Sequence, residues 1–434
     1  MISQLRVICL MGCLFWLASC TAAPNEPTSL PAGPVIATVT NTPVPTAELP
    51  LVATPTATTV ATATTAPTIA PTPSPAPPWF VTTSVDIDGA AVEPCASPSI
   101  TALLFADTEE APPGQATFLR YSFSQPELCR LTLAGQPQTG QIIAAAGYLY
   151  YAVYDWDADS YTIWQDNGLG HSRPLPFTTT AVADQFSSYF RFLVTSNGQA
   201  LIWSVFEYEG GAEHTVRNRL WLSASDGRDI RLLLDEREDE GISYYDPLRL
   251  NADGQLLLAY QPLGLGGHWS SFNGRYQNIY QLDLVDLSQQ LIFACQTLLC
   301  VGDIAPDGRT LAYTDVTAGT INIISWEGEQ IQAITPPGRN YLGYPTFAED
   351  GRLFFTSADL DTNNNAAPGY LSLSMPPYTG PAEIFYQADD LTTVHQISGD
   401  YLLYWHSFSI ARLDLRPPHA IWQHESGRFQ AFLP

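Results

Sequence analysis

The chain has 434 residues, 45% of them hydrophobic, and a formal net charge of −25 at pH 7. All 18 basic residues are arginine, which removes every chemistry that needs a lysine: a Schiff base, a phosphate-loop lysine or a Ser–Lys dyad. An acidic surface without basic runs also argues against nucleic acid as a partner, because phosphate binding needs clustered cations.

The first element is "MISQLRVICLMGCLFWLASC": one Arg, an apolar run from Val7 to Leu17, then Leu17-Ala18-Ser19-Cys20. The run is short for a bilayer span and has the proportions of a secretory core region. Leu-Ala-Ser-Cys resembles the bacterial lipoprotein signal, which implies removal of residues 1–19 and lipidation of Cys20, and so a membrane contact through that anchor. Residues 20–78 are almost wholly Thr, Ala, Pro and Val. Such a composition buries too little apolar surface to offset the entropy of ordering. In extended polyproline II, at about 3.1 Å per residue, it would reach on the order of 100 Å, as a stalk does.

Residues 79–434 contain no long stretch of helical periodicity. Short runs of Tyr, Trp, Phe, Val, Leu and Thr are broken by Gly, Asp and Asn, the pattern of an all-β domain. One unit recurs: "TALLFAD" at Thr101, "GYLYYAVYD" at Gly147, "GQALIWSVF" at Gly198, "GQLLLAYQP" at Gly254, "GRTLAYTDV" at Gly308, "GRLFFTSAD" at Gly351 and "GDYLLYWHS" at Gly399. The starts lie 43 to 56 residues apart, the spacing of four-stranded propeller blades. Each Asp-Gly or Asn-Gly supplies the positive φ of a tight turn between the innermost strand and the next. The alternating apolar residues that follow are expected to pack one blade on its neighbour. The expected architecture is an all-β propeller with seven blades, or six as the alternative.

"APDGRTLAY", "NADGQLLLAY" and "AEDGRLFF" resemble the WD40-like repeat of TolB-type propellers, in which a Pro-Asp-Gly turn precedes a Leu-Ala-Tyr strand. Two copies depart from it: "TALLFAD" has no Asp-Gly turn and "SGDYLLYW" reverses its order. The resemblance implies a propeller in an extracytoplasmic setting, at the cell surface or in the periplasm, and no single activity.

Past Cys20 stand Cys95, Cys129, Cys295 and Cys300, an even number that favours two disulfides in an exported protein. Cys95 with Cys129 would stabilise the irregular first blade by roughly 3–4 kcal/mol, and Cys295 with Cys300 would bridge locally. The chain lacks a Gly-x-Ser-x-Gly elbow, a His-Glu-x-x-His pair and a Gly-rich phosphate loop. No catalytic residue is therefore assigned.

Long connections are expected between second and third strands, at Asp107, Glu207, Gln261 and Ala358. Extra length there suggests recognition. Within them, His214, His268, Trp269, Phe272, Arg275 and Tyr276 are the candidate binding residues, since aromatics with Arg are what recognition surfaces use; the alternative is that Trp269 and Phe272 cover the propeller's own apolar surface. "DWDADSYTIWQD" offers Asp155, Asp157, Asp159 and Asp166 at the relative positions of a calcium loop, with Ser160 where Gly is wanted. His171, His214, His268, His395 and His406 fall in different blades and would have to converge on the axis to hold a catalytic metal.

The expectation is a lipid-anchored, monomeric, non-catalytic binding or assembly module for an envelope protein or extracellular glycan. No cofactor is expected beyond calcium at that acidic loop. The alternative is a metal-assisted polysaccharide lyase or hydrolase with its site in the funnel.

Overall fold

Runs rich in β-branched and aromatic residues, punctuated by Gly-containing turns, form short antiparallel strands, and these assemble into seven sheets. The computed structural model describes residues 81–84, 92–98 and 102–433, the last range with short interruptions of which 263–273 and 360–368 are the longest. These residues belong to the compact unit Pro73–Pro434. The expected signal segment, Cys20 and the Pro-rich stretch lie outside the described residues. Among the described residues no helix is long and apolar enough to cross a membrane.

Blade 2 runs outward from Pro137–Ala145 through Tyr148–Asp155 and Ser160–Asp166 to Arg173–Pro174, with Thr180–Ala181 added. Blade 3 comprises Ser188–Val194, Ala200–Glu209, Thr215–Ala224 and Arg231–Glu238; blade 4, Ser243–Leu250, Gln255–Pro262, Asn278–Asp283 and Gln289–Ala294. Blade 5 comprises Val301–Ile304, Thr310–Asp315, Thr320–Ser325 and Gln330–Ile334. In blade 6 the innermost strand is broken into Tyr341–Leu342 and Thr346–Phe347, followed by Leu353–Ala358, Gly369–Ser374 and Glu383–Ala388. Blade 7 comprises Leu391–Ser398, Tyr401–His406, Ser409–Asp414 and Ala420–Glu425.

Blade 1 is composite. Its three outer strands, Ala102–Ala106, Gln115–Ser122 and Leu128–Ala134, come from the start of the domain, and its innermost strand, Phe429–Leu433, from the end. The register sets Leu103 opposite Phe432 and Leu104 opposite Ala431. The chain is a seven-bladed β-propeller closed by its own C-terminal strand.

Every repeated unit of the sequence is the second strand of its blade, and in all but the first a positive-φ glycine opens it, as at Gly308 (φ +66°). These strands are covered on both faces. Leu256, Leu257, Leu258 and Ala259 are all fully buried. Leu256 and Leu258 join the cluster facing blade 3, whereas Leu257 and Ala259 join the one facing blade 5. The expected alternation therefore does not separate core from solvent; it separates one neighbouring blade from the other. Each of the seven blade–blade interfaces holds its own apolar cluster, as stacked units that cannot cover themselves require.

Both expected cystine pairs are bonded, Cys95–Cys129 (S–S 2.03 Å) and Cys295–Cys300 (S–S 2.11 Å). The first fixes an extra edge. Glu93 and Cys95 hydrogen-bond to Arg130, laying the N-terminal segment along the outermost strand of blade 1. Disulfides suit an oxidising compartment.

At Gly302, on the innermost strand of blade 5, a Cβ would lie 2.4 Å from both the carbonyl oxygen and Cδ of Pro345 in blade 6. Gly302→Ala should therefore cost about 1–3 kcal/mol through overpacking and lower the melting temperature by several degrees. Gly380→Ala, where a Cβ meets nothing within 4 Å, should be near neutral. Equal melting temperatures for the two variants, measured by circular dichroism, would refute this close approach.

Candidate functional site: the polar axis

Four charged residues stand on the innermost strands of blades 3 to 5: Arg191 in "SYFRFLV", Asp246 and Arg249 in "SYYDPLRL", Asp303 in "VGDI". Three of the four are held by main-chain groups of their own blade or the next one. Arg191 Nη1 donates to the Phe190 carbonyl (2.9 Å), and its guanidinium lies 5.3 Å from the ring centre of Tyr244 in blade 4. Arg249 Nη1 donates to the Ala305 carbonyl of blade 5 (2.8 Å). Asp303 accepts from the Phe347 amide of blade 6 (2.8 Å) and from its own neighbour Ile304 (2.8 Å). Gln141 of blade 2 donates to the Phe190 carbonyl of blade 3. Side chain to next-blade main chain, repeated around the axis, makes a polar belt inside an apolar ring.

Arg275 completes it. This residue follows the blade-four loop and precedes the third strand, yet its Nη2 reaches Thr346 Oγ1 of blade 6 (3.3 Å) and the Val394 carbonyl of blade 7 (3.4 Å). The segment is pinned where it enters the wall. The Arg275 and Tyr276 amides both donate to the Val301 carbonyl, and the Tyr276 carbonyl accepts from Cys300 and Val301. A Cβ on Gly274 would lie 2.4 Å from the Cys300 carbonyl carbon, so only glycine passes at this close approach. The Cys295–Cys300 bond ties the same corner, with the Cys295 amide on the Gln277 carbonyl.

The belt perturbs its acids. Burial pushes the Asp246 carboxyl up to about 6, opposed by Arg191. Burial also raises Asp303, opposed first by Arg275 and then by the amides it accepts from. Tyr276 is raised by burial, reinforced by Asp246. Perturbed carboxyls gathered in a concave site are a usual mark of function, although here the surrounding donors also serve the ring's own cohesion.

The sequence candidates distribute unevenly. Arg275 and Tyr276 are half-buried where the chain re-enters blade 4, their backbone bonded to Val301 and the Arg275 guanidinium to blades 6 and 7. His214, His268, Trp269 and Phe272 lie outside the described residues. The blade-three connection is not a long loop: pairing continues to Glu209 opposite Thr215, and Glu207 is buried and ion-paired with Arg219.

The acidic run does not converge. Asp155 ends one strand and caps the turn by accepting from the Asp157 and Ala158 amides, and Asp159 accepts from the Tyr154 hydroxyl (2.7 Å). Asp166 stands at the far end of the strand Ser160–Asp166, where its carboxylate accepts from Gly168, Gly170 and Ser172. At about 3.3 Å per residue, that strand separates it from the turn by far more than a coordination sphere. Among the described residues no group of three or more His, Cys, Asp or Glu is placed to hold a metal ion. His171 is exposed on the third-to-fourth connection of blade 2, beside Asn167 (3.0 Å), away from the axis. His395 and His406 fall on the first and second strands of blade 7.

No family model and no curated protein matches the chain. Solved structures resemble it in outline. Puromycin hydrolase is 13% identical with a TM-score of 0.48, the match covering 76% of this chain and 53% of that one. A functionally unknown protein from Desulfotomaculum acetoxidans is 10% identical, with a TM-score of 0.44 and coverage of 77% and 95%. TolB from Acinetobacter baumannii is 13% identical, with a TM-score of 0.35 and coverage of 63% and 60%. The chain thus spans about half the length of the hydrolase.

A carboxyl raised on folding binds its proton more tightly in the native state, so Asp246 contributes stability that is complete below about pH 4 and is lost as pH rises through about 6. The shift bounds this at about 3 kcal/mol, less where channel water screens it. Asp246→Asn should flatten the fall in stability between pH 4 and pH 6.5, read by urea unfolding at several pH values. Parallel curves for the variant and the parent protein would show that Asp246 is not the titrating group.

Proposed function

We propose that this chain is a lipid-anchored, stalked, extracytoplasmic propeller that binds an envelope protein or glycan and does not catalyse a reaction. Cys20 is the anchor, residues 20–78 are the stalk, and the blade-four insertion is the contact element. The observation that carries this reading is the clamped base of that insertion. The chain leaves blade 4 at Pro262 and re-enters at Gly274, and the re-entry point is fixed by the backbone bonds of Arg275 and Tyr276, the Cys295–Cys300 bond and the reach of Arg275 to blades 6 and 7. The eleven residues between these two points, His268, Trp269 and Phe272 among them, are the proposed contact element. Binding elements are commonly built this way, as variable segments on an invariant scaffold.

A non-catalytic role agrees with how the axial charges are used. Asp303 is committed to the Phe347 and Ile304 amides, and a carboxylate held to amides is poorly placed to move a proton to a substrate.

Capture from solubilised envelopes of the source cell tests the reading. The parent protein should retain a specific protein or glycan. A variant with residues 263–273 replaced by a short Gly-Ser turn should lose it while keeping the parent melting temperature. Equal retention by both would remove the insertion from the binding site, and processing that leaves Cys20 without lipid, read by mass spectrometry, would remove the anchor.

A further inference from the structure

The Asp-Gly turns and the second-to-third strand loops lie on opposite faces of the ring, and the cavity at the axis opens on the turn face. It measures about 1030 Å³ and is walled by blades 2 to 5, a size suited to a small ligand. Its floor is apolar, from Ala144 of blade 2, Leu193 of blade 3 and Leu248 of blade 4, and its rim is polar.

We propose that this turn-face mouth is a binding site for a small carboxylate-bearing ligand. The argument is an account of donors and acceptors. The rim holds two acids: Asp307 is used by its own turn through both oxygens, Asp253 through one. Asp307 accepts from the Arg309 and Thr310 amides through Oδ1 (2.7 and 2.9 Å) and from the Thr310 hydroxyl through Oδ2 (2.8 Å). Asp253 accepts from the Gln255 amide (3.3 Å). The two cations are disposed differently. Arg249 is fixed in the wall by a single bond from Nη1 to the Ala305 carbonyl, which leaves the rest of its guanidinium fork oriented but not consumed. Arg309 is exposed, and among the described residues its side chain makes no hydrogen bond or ion pair. The mouth therefore offers charged donors above an apolar floor, and of its two acids Asp307 has both carboxylate oxygens engaged by its own turn.

A guanidinium fork matches a carboxylate in two parallel N–H···O bonds. A ligand carrying one carboxylate and a compact apolar or sugar-like body would place the acid between Arg249 and Arg309 and its body on the floor. In a chain of net charge −25 an anion gains nothing from the overall field. Local donors must supply the attraction, and salt should weaken it.

A uronic acid disaccharide and a diglutamate peptide share this chemistry and serve as the probes, with a neutral disaccharide and diglutamine as their counterparts. Isothermal titration of the purified protein should show at least one acid binding tenfold or more tightly than its neutral counterpart. Arg309→Ala, an exposed change, should weaken it at least tenfold with the melting temperature unchanged, and Arg309→Lys should fall between. Which acid binds identifies the source of the carboxylate. Shortening residues 263–273 should leave the affinity unaltered, so this site and the loop-face reading fail separately. The proposal is overturned if neither acid is preferred, if Arg309→Ala leaves the preference intact, or if the loop deletion abolishes it.

Discussion

A ring of sheets has a seam, and everything else in this molecule depends on how the seam is held. Each blade needs a neighbour against both faces, so an open ring would expose two apolar sheets at once. The chain closes it from two sides. Inside, Phe429–Leu433 becomes the innermost strand of blade 1. Outside, Val81–Ser84 lies along the outer strand of blade 7, and Glu93 to Cys95 then lies along the outer strand of blade 1, where Cys129 holds it covalently. Between the two blades, Arg412 is buried among Tyr121, Tyr401 and Asp414. Burial lowers its affinity for its proton and the surrounding anion and rings restore part of it. Leu103, Phe105, Leu119 and Leu403 complete the packing there.

The seam also explains why the sequence was legible in its middle and blurred at its ends. Blades 3 to 6 are continuous in the chain, and their turns repeat because one geometry is needed each time. "TALLFAD" has no Asp-Gly turn because it has no hairpin partner before it; that partner arrives more than three hundred residues later. In blade 2 the turn is Ala146-Gly147, both at positive φ, so a residue that resists the conformation stands where Asn or Asp was expected. The count of seven follows from the copies themselves, including the degenerate ones, whereas the 1+3 composition of the first blade has no local pattern to announce it.

The polar axis was far less legible. Arg191, Asp246, Arg249 and Asp303 come from three successive blades, and only the packing of blade on blade brings them near one another. A faint signal exists: a lone charge in the middle of an apolar innermost strand, one pleat from its turn. Arg275 carried no such signal. It reads as the tail of a loop and functions as a bolt through the wall, because its backbone is captured by blade 5 and its side chain is long enough to reach blades 6 and 7. The calcium spacing of Asp155 to Asp166 misleads for the complementary reason. A twelve-residue interval suits a metal loop only when the chain curls, and here seven of those residues are an extended strand.

The parallel strand Val81–Ser84 has a mechanical meaning. Pairing with Ala420 to Gln423, it covers an edge that would otherwise offer free backbone groups to another chain. A pull applied at Val81 would load the outermost strand of blade 7 first, and after it the Cys95–Cys129 bond on the outer strand of blade 1, before it reached the closing strand Phe429–Leu433 on the innermost side of that blade.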